Sequence, residues 1–354
     1  MQFIRPALLA TTILTASMTT AFADVRVVTS IKPVHSLVAA VMQGVGTPDL
    51  IVEGAGSPHT YALKPSQAKQ LQEADLVFWM SHDLEAFLEK SIDGIATKAV
   101  SVPLMESRGL MTLGFREGGA FDDHGHDEHD DHDDHDDHEK HDKDGDHDHD
   151  KHDDHDENEK HDKDDDHDHE KHDDHDEHDH GEVDPHVWLD PENAKAMVHE
   201  IEEALAKADP ANAATYESNA EAVMAKLDSL VAEIDSELQP VKGRGYIVFH
   251  DAYQYFENRF GVSAIGSITV SPEVLPGAER ISDLQEKVRS LDATCVFSEP
   301  QFEPKLVATV TENTNARTGV LDPLGAAIDK GPNLYFTLIR NMASSLKNCL
   351  LGSG

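Results

Sequence analysis

Residues 209–240, DPANAATYESNAEAVMAKLDSLVAEIDSELQP, carry Tyr216, Ala220, Val223, Leu227, Leu230, Ile234 and Leu238 at steps of three or four. On a helix of 3.6 residues per turn these seven side chains fall on one stripe, with charged and polar residues on the other faces. Asp209-Pro210 reads as an N-cap followed by proline at the first helical position, and Pro240 ends the pattern. The expectation is a single amphipathic helix of about 30 residues, roughly 40–45 Å long. Its length and mid-chain position suit a rigid connector between two domains, and 354 residues are enough for two.

On both sides of this helix short apolar runs alternate with helical patterns. Before it, strands are expected at 25–30, 50–52 and 76–80. Helices are expected from Pro33, over 66–74 with Ser66 as N-cap, around Leu84, Phe87 and Leu88, and after Pro191. After it, strands are expected at 246–249, 262–268, 294–297 and 318–321, with helices over 252–260, 282–290, 303–313 and 334–347. Strand–helix alternation of this kind builds parallel sheets covered by helices. The fold class is therefore α/β, with two (β/α) sandwich domains joined by the long helix: 24–209, a linker helix over 210–240, and 241–354.

The first domain is interrupted by a tract of another character. Residues 122–182 hold 33 acids against 6 lysines, and 18 of the chain's 24 histidines. A segment of this composition has no apolar surface to bury and is expected to be a disordered loop, placed at 117–182. It contains a duplication: 139–157 repeats as 159–177 at a period of 20, differing only at Gly145/Asp165 and Asp150/Glu170. The copies have no apolar positions with which to stack, so a solenoid is excluded. Interleaved imidazoles and carboxylates are ligands for borderline metals such as zinc.

The formal net charge is −40, most of it in the tract, which disfavours nucleic acid and anionic membranes as partners. Arg5, the weakly apolar stretch 7–21 and Ala21-Phe22-Ala23 read as a signal peptide cleaved after Ala23. No later apolar run is long enough to span a bilayer, and no cysteine stands at the cleavage site to carry a lipid. In an exported chain the two cysteines, Cys295 and Cys349, are most simply a disulfide tying the last helix to the strand that ends near Phe297.

Six histidines lie outside the tract: His35, His59, His82, His186, His199 and His250. Three have special settings. His59 follows a short strand in the turn-rich GAGSPHTY, His186 sits in the proline-bracketed DPHVWLDP, and His250 directly follows an apolar strand. Sites in α/β sheets form at the carboxyl ends of strands; two of the three fit that position directly, and the three together are the candidate metal ligands. Asp322, in LDPLG after another strand, is the fourth candidate, with a turn cap before Pro323 as its alternative reading. Asp184, Asp190 and Asp251 are candidates for fixing ring orientation. His82 and His199 read as exposed helical residues, and His35 as a residue near a helix N-terminus.

GAGSPHTYALKPS, DPHVWLDP, VFHDAYQYFENRFG, SEPQF and LDPLG, in this order, resemble the zinc-specific branch of the solute-binding proteins of ABC metal importers. The resemblance covers nearly all of the chain after the leader. It implies metal held between two (β/α) domains by His59, His186 and His250, and a disulfide of the Cys295–Cys349 kind. Manganese-binding relatives usually have Glu at the third ligand position. His250 stands there instead, and imidazole suits zinc better than manganese. Some relatives have a ligating Glu before the first histidine. Pro58 stands at that place here, leaving water or Asp322 as the fourth ligand.

The implied function is high-affinity zinc capture in the periplasm and delivery of Zn2+ to an ABC permease membrane subunit. The protein would be a monomer and not an enzyme, and the His-rich loop would be a secondary reservoir or sensor. Alternatives are a manganese-importer subunit, a zinc hydrolase built on the same three histidines, and an adhesin on the same fold. Against the hydrolase stands the lack of an H-E-x-x-H pattern or a general base tied to the ligands.

Overall fold

The structure is a computed structural model that describes residues 25–116, 121, 183–269, 278–290 and 294–352. The signal peptide assigned to 1–23 and, Phe121 aside, the His-rich loop assigned to 117–182 lie outside the described residues.

Two four-stranded parallel sheets form the frame. In the first, β1 (Val27–Thr29), β2 (Asp49–Leu50), β3 (Leu76–Trp79) and β4 (Val100–Pro103) lie in the order β2-β1-β3-β4. Val28 pairs with Asp49 on one side and Val77 on the other. In the second, β5 (Tyr246–His250), β6 (Ala264–Thr269), β7 (Cys295–Ser298) and β8 (Arg317–Val320) lie in the order β6-β5-β7-β8. All pairings within the two sheets are parallel, as strand–helix alternation requires. One strand was not expected. β4 is an edge strand in which Val100 and Ser101 are exposed, so its short VSVP run shows no buried-strand signature.

The helices are α1 (Lys32–Val41), α2 (Pro65–Glu73), α3 (Ala86–Ile95), α4 (Pro191–Ala208), α5 (Ala213–Leu238), α6 (Gln254–Phe260), α7 (Ala278–Ser290), α8 (Lys305–Thr311) and α9 (Leu334–Leu351). Two expected caps are replaced. α2 starts one residue before Ser66, with Lys64 at the N-cap and Pro65 inside the first turn. Asp209 does not cap the long helix, because Pro210–Asn212 form a separate 3-10 turn before it. The Asp209 carboxylate instead accepts from the Asn212 amide at 2.7 Å and the Tyr216 hydroxyl at 2.9 Å.

The long helix α5 spans 26 residues, about 39 Å. Its buried side chains are Tyr216, Ala220, Val223, Leu227, Leu230, Ile234 and Leu238, the seven of the sequence stripe. They pack against α1, α4 and α9, so apolar residues of both sheets join one continuous core through α5. A smaller core lies on the other face of the second sheet. β5 is buried along its length and serves both cores: Tyr246 and Val248 face the α5 side, Ile247 and Phe249 the smaller cluster.

The Cys295–Cys349 disulfide joins the start of β7 to α9, with Cα atoms 6.2 Å apart, as expected. Arg317 and Arg244 donate to the Cys349 and Leu350 carbonyls at 2.8 Å each, satisfying the end of that helix. Gly319 on β8 pairs with Phe297 on β7, and a Cβ there would lie 2.5 Å from the buried Phe297 ring. Only glycine leaves room for that ring.

Candidate metal centre

His59 and His250 lie at or beyond a strand's carboxyl end, and His186 stands immediately before a 3-10 turn. After β2, Ile51 and Val52 continue to donate to Thr29 and Ser30, and Gly54, at φ +65°, then turns the chain. Gln67 holds the loop by donating to the Ile51 carbonyl at 2.6 Å and to the Tyr61 hydroxyl at 2.9 Å. Pro58 opens the 3-10 turn Pro58–Thr60 that presents His59. His186 precedes the turn Val187–Leu189, and His250 is the last residue of β5.

The structure brings His59, His186 and His250 together. Their candidate ligand nitrogens all lie within 4.8 Å of one another, and the ring centroids are 5.3–5.9 Å apart. The Nε2 atoms of His186 and His250 are 3.4 Å apart. Two nitrogens on a tetrahedral zinc at about 2.05 Å would stand about 3.3 Å apart.

Carboxylates decide which nitrogen faces the cluster. The Asp184 Oδ1 atom lies 2.6 Å from His186 Nδ1 and accepts from the His186 backbone N–H at 2.9 Å. Gln254 in turn donates to Asp184 Oδ2 at 2.7 Å. Glu299 Oε1 lies 2.7 Å from His250 Nδ1. Each acid accepts the Nδ1–H hydrogen bond and leaves Nε2 with its lone pair toward the cluster. Trp188 and Phe302 pack against these rings and keep the surroundings apolar.

Of the expected orienting acids, Asp184 alone does that work. Asp190 caps α4 and forms a two-point ion pair with Arg259 at 2.7 and 2.8 Å. Asp251 pairs with Arg116, which also reaches Glu257 at 2.6 Å. The residue missed was Glu299, buried just past β7, the strand beside β5. The strand-end rule that singled out His250 applies to it equally.

Asp322 is not part of the cluster. Its carboxylate accepts from the backbone N–H groups of Leu324, Gly325 and Ala326 at 3.1, 2.9 and 2.6 Å, and from the Gln301 amide at 3.0 Å. It holds the loop after β8, which Trp188 also fastens by donating to the Pro323 carbonyl at 2.9 Å. His82 and His199 are exposed, as expected, and each lies beside glutamates, but only His199 is helical: His82 sits in a turn before α3. His35 is buried within α1, its Nε2 3.2 Å from the Pro48 carbonyl.

Burial, and then the neighbouring His186 and His250, push the His59 pKa down to about 2. Burial also acts to lower that of His250, but Glu299, with Asp184 and Asp251, more than offsets it and raises the value. The signs for the metal-free protein follow. The unfolded chain takes up a proton at His59 below about pH 6.5 that the folded chain refuses, so stability falls with acidification below that pH. His250 acts oppositely, contributing stability that is lost as pH rises through its raised folded value. Zinc displaces protons only from rings that carry them. At pH 5, calorimetry in buffers of different ionisation heat should therefore record at most about two protons released per zinc. A count of three would mean that His59 titrates as a free imidazole.

A family model described as "Zinc-uptake complex component A periplasmic" matches residues 27–349. The curated "High-affinity zinc uptake system protein ZnuA" of Brucella abortus is 56% identical over 324 residues, spanning 92% of this chain and 91% of its own. A crystal structure of a ZnuA superposes with a TM-score of 0.65 at 21% identity, covering 92% of this chain and 100% of that one. A mutant laminin-binding adhesin (Lmb) from Streptococcus agalactiae superposes with 0.64 at 21% identity, covering 92% and 99%. At such identity these two structures speak for the fold alone. The family match over residues 27–349 and the 56% identical relative carry more: this chain belongs to the periplasmic zinc-uptake complex component A family, ZnuA.

Proposed function

We propose that this protein captures Zn2+ in the periplasm with high affinity and hands it to the membrane subunit of an ABC permease. His59, His186 and His250 would be the protein ligands, with water in the fourth position. The observation that carries the reading is the convergence of three imidazoles whose candidate ligand nitrogens lie within 4.8 Å of one another, two of them held by buried carboxylates through Nδ1 with their Nε2 atoms 3.4 Å apart, close to the spacing on tetrahedral zinc. All-nitrogen donation favours zinc over manganese. A binding role rather than catalysis is supported by Asp184 and Glu299 each facing a ring Nδ1 through one carboxylate oxygen, the arrangement that orients a metal-binding imidazole.

The same reading takes 24–209 and 241–354 as two domains with 210–240 between them, since β1–β4 all come from the first span and β5–β8 from the second. Export with cleavage after Ala23, a monomeric state and a reservoir or sensor role for the 18 tract histidines complete it. Among the described residues no helix is long and apolar enough to cross a membrane.

The test is competitive titration with Zn2+ and Mn2+ of the mature chain and of a variant lacking 122–180, with bound metal counted by elemental analysis. The truncated protein should keep one tight zinc that excess manganese does not displace, and lose only weaker sites. Loss of tight binding with the tract would make the protein a His-rich buffer and remove the three-histidine centre from the account.

A further inference from the structure

Among the described residues the Asp322 carboxylate makes four hydrogen bonds, one of them from Gln301 Nε2 at 3.0 Å. An ionised carboxylate only accepts, so the Gln301 amide turns its NH2 group to Asp322 and its oxygen the other way. That oxygen, Oε1, is buried, and no donor among the described residues reaches it. Gln301 lines the same small cavity as His59, His186 and His250. A buried amide oxygen without a donor is uncommon in folded proteins and calls for one from another source. Three nitrogen ligands leave zinc one open position, and a water there is a strong donor because the metal polarises it.

We infer that Gln301 is a positioning residue for the fourth ligand: its amide oxygen, locked by Asp322, accepts the hydrogen bond of the water that completes the zinc coordination. The inference rests on the three-histidine reading and gives Asp322 a part in the site through Gln301. An amide oxygen does not take up the water's proton near neutral pH, so the water is oriented without being made a nucleophile. This suits retention and release of the ion rather than hydrolysis.

The experiment uses the mature chain and its Gln301→Met, Gln301→Glu and His186→Ala variants. Zn2+ affinity is measured by competition, and the visible spectrum of the Co2+ form is followed with pH. Gln301→Met should weaken zinc binding about 10-fold, the low end for loss of an outer partner. It should also move the spectral midpoint of water deprotonation to lower pH, because the water loses an acceptor that favours its protonated form. Gln301→Glu keeps an acceptor and adds charge, so it should hold affinity and move the midpoint to higher pH. A change confined to packing would not shift the midpoint in opposite directions. Wild-type affinity and midpoint in Gln301→Met, or a wild-type Co2+ spectrum that does not change with pH, overturns the inference while leaving the histidine centre standing. Tight binding that survives His186→Ala overturns both.

Discussion

His250→Ala should weaken zinc binding about 100- to 1,000-fold, the share of one ligand in the roughly 10–16 kcal/mol of a four-ligand zinc site. The loss has two sources. One nitrogen of three disappears, and Glu299, buried with 3% of its surface exposed, is left without the ring that faced it. His186→Ala should behave alike for the same reason, through Asp184. His82→Ala and His199→Ala are the controls, because those rings are exposed and outside the cluster. Competition with a chromophoric chelator, on variants checked for native circular dichroism, reads the affinities. A His250→Ala protein within about threefold of wild type would place the tight site elsewhere; the ladder of outer-partner effects starts at about 10-fold.

The second large effect concerns stability. Arg116 comes from the segment that follows β4, yet it bonds Asp251 and Glu257, both in the second half of the chain. The two acids are 5% and 4% exposed and Arg116 21%. Arg116→Met keeps an apolar stem but leaves two buried carboxylates without their cation. Removing one partner of a buried pair typically costs about 3–5 kcal/mol, and that loss is expected in urea denaturation. Its pH dependence follows from Glu257. Burial raises its pKa even with Arg116 beside it, and loss of the cation raises it further. Acidification into the range of that raised value should therefore protonate Glu257 and shrink the deficit. Glu257→Gln should recover part of it in the double variant. A deficit under about 0.5 kcal/mol, independent of pH, would show this network to be dispensable, as many exposed pairs are.

The candidate site was legible where the signal is local. His59, His186 and His250 could be picked from six histidines because each stands in a recognisable turn or strand end, and chemistry in parallel sheets collects there. At Asp322 the same rule met a carboxylate that accepts from the backbone of the turn it begins. Both readings of Asp-Pro after a strand, ligand or turn cap, produce the same residues, so sequence pattern could not separate them. Asp190 and Asp251 show a related failure. Their proximity in sequence to His186 and His250 suggested a role on those rings. Arg259, 69 positions from Asp190, and Arg116, 135 from Asp251, claim them instead.

By itself the sequence determined the seven-residue stripe of α5, the alternation that makes two parallel sheets, the disulfide and the three converging histidines. Each rests on a short-range rule: the helical period, the strand run, the oxidising compartment or the turn beyond a strand. Tertiary structure alone decided which carboxylate meets which partner: Glu299 with His250, Arg116 with Asp251 and Glu257, and Asp322 with Gln301. Those choices depend on atoms brought within about 3 Å by packing between distant segments, a range over which hydrogen bonds and ion pairs form and beyond which they do not. The edge strand β4 belongs with them, because an exposed edge carries no apolar pattern and becomes a strand only by pairing with β3.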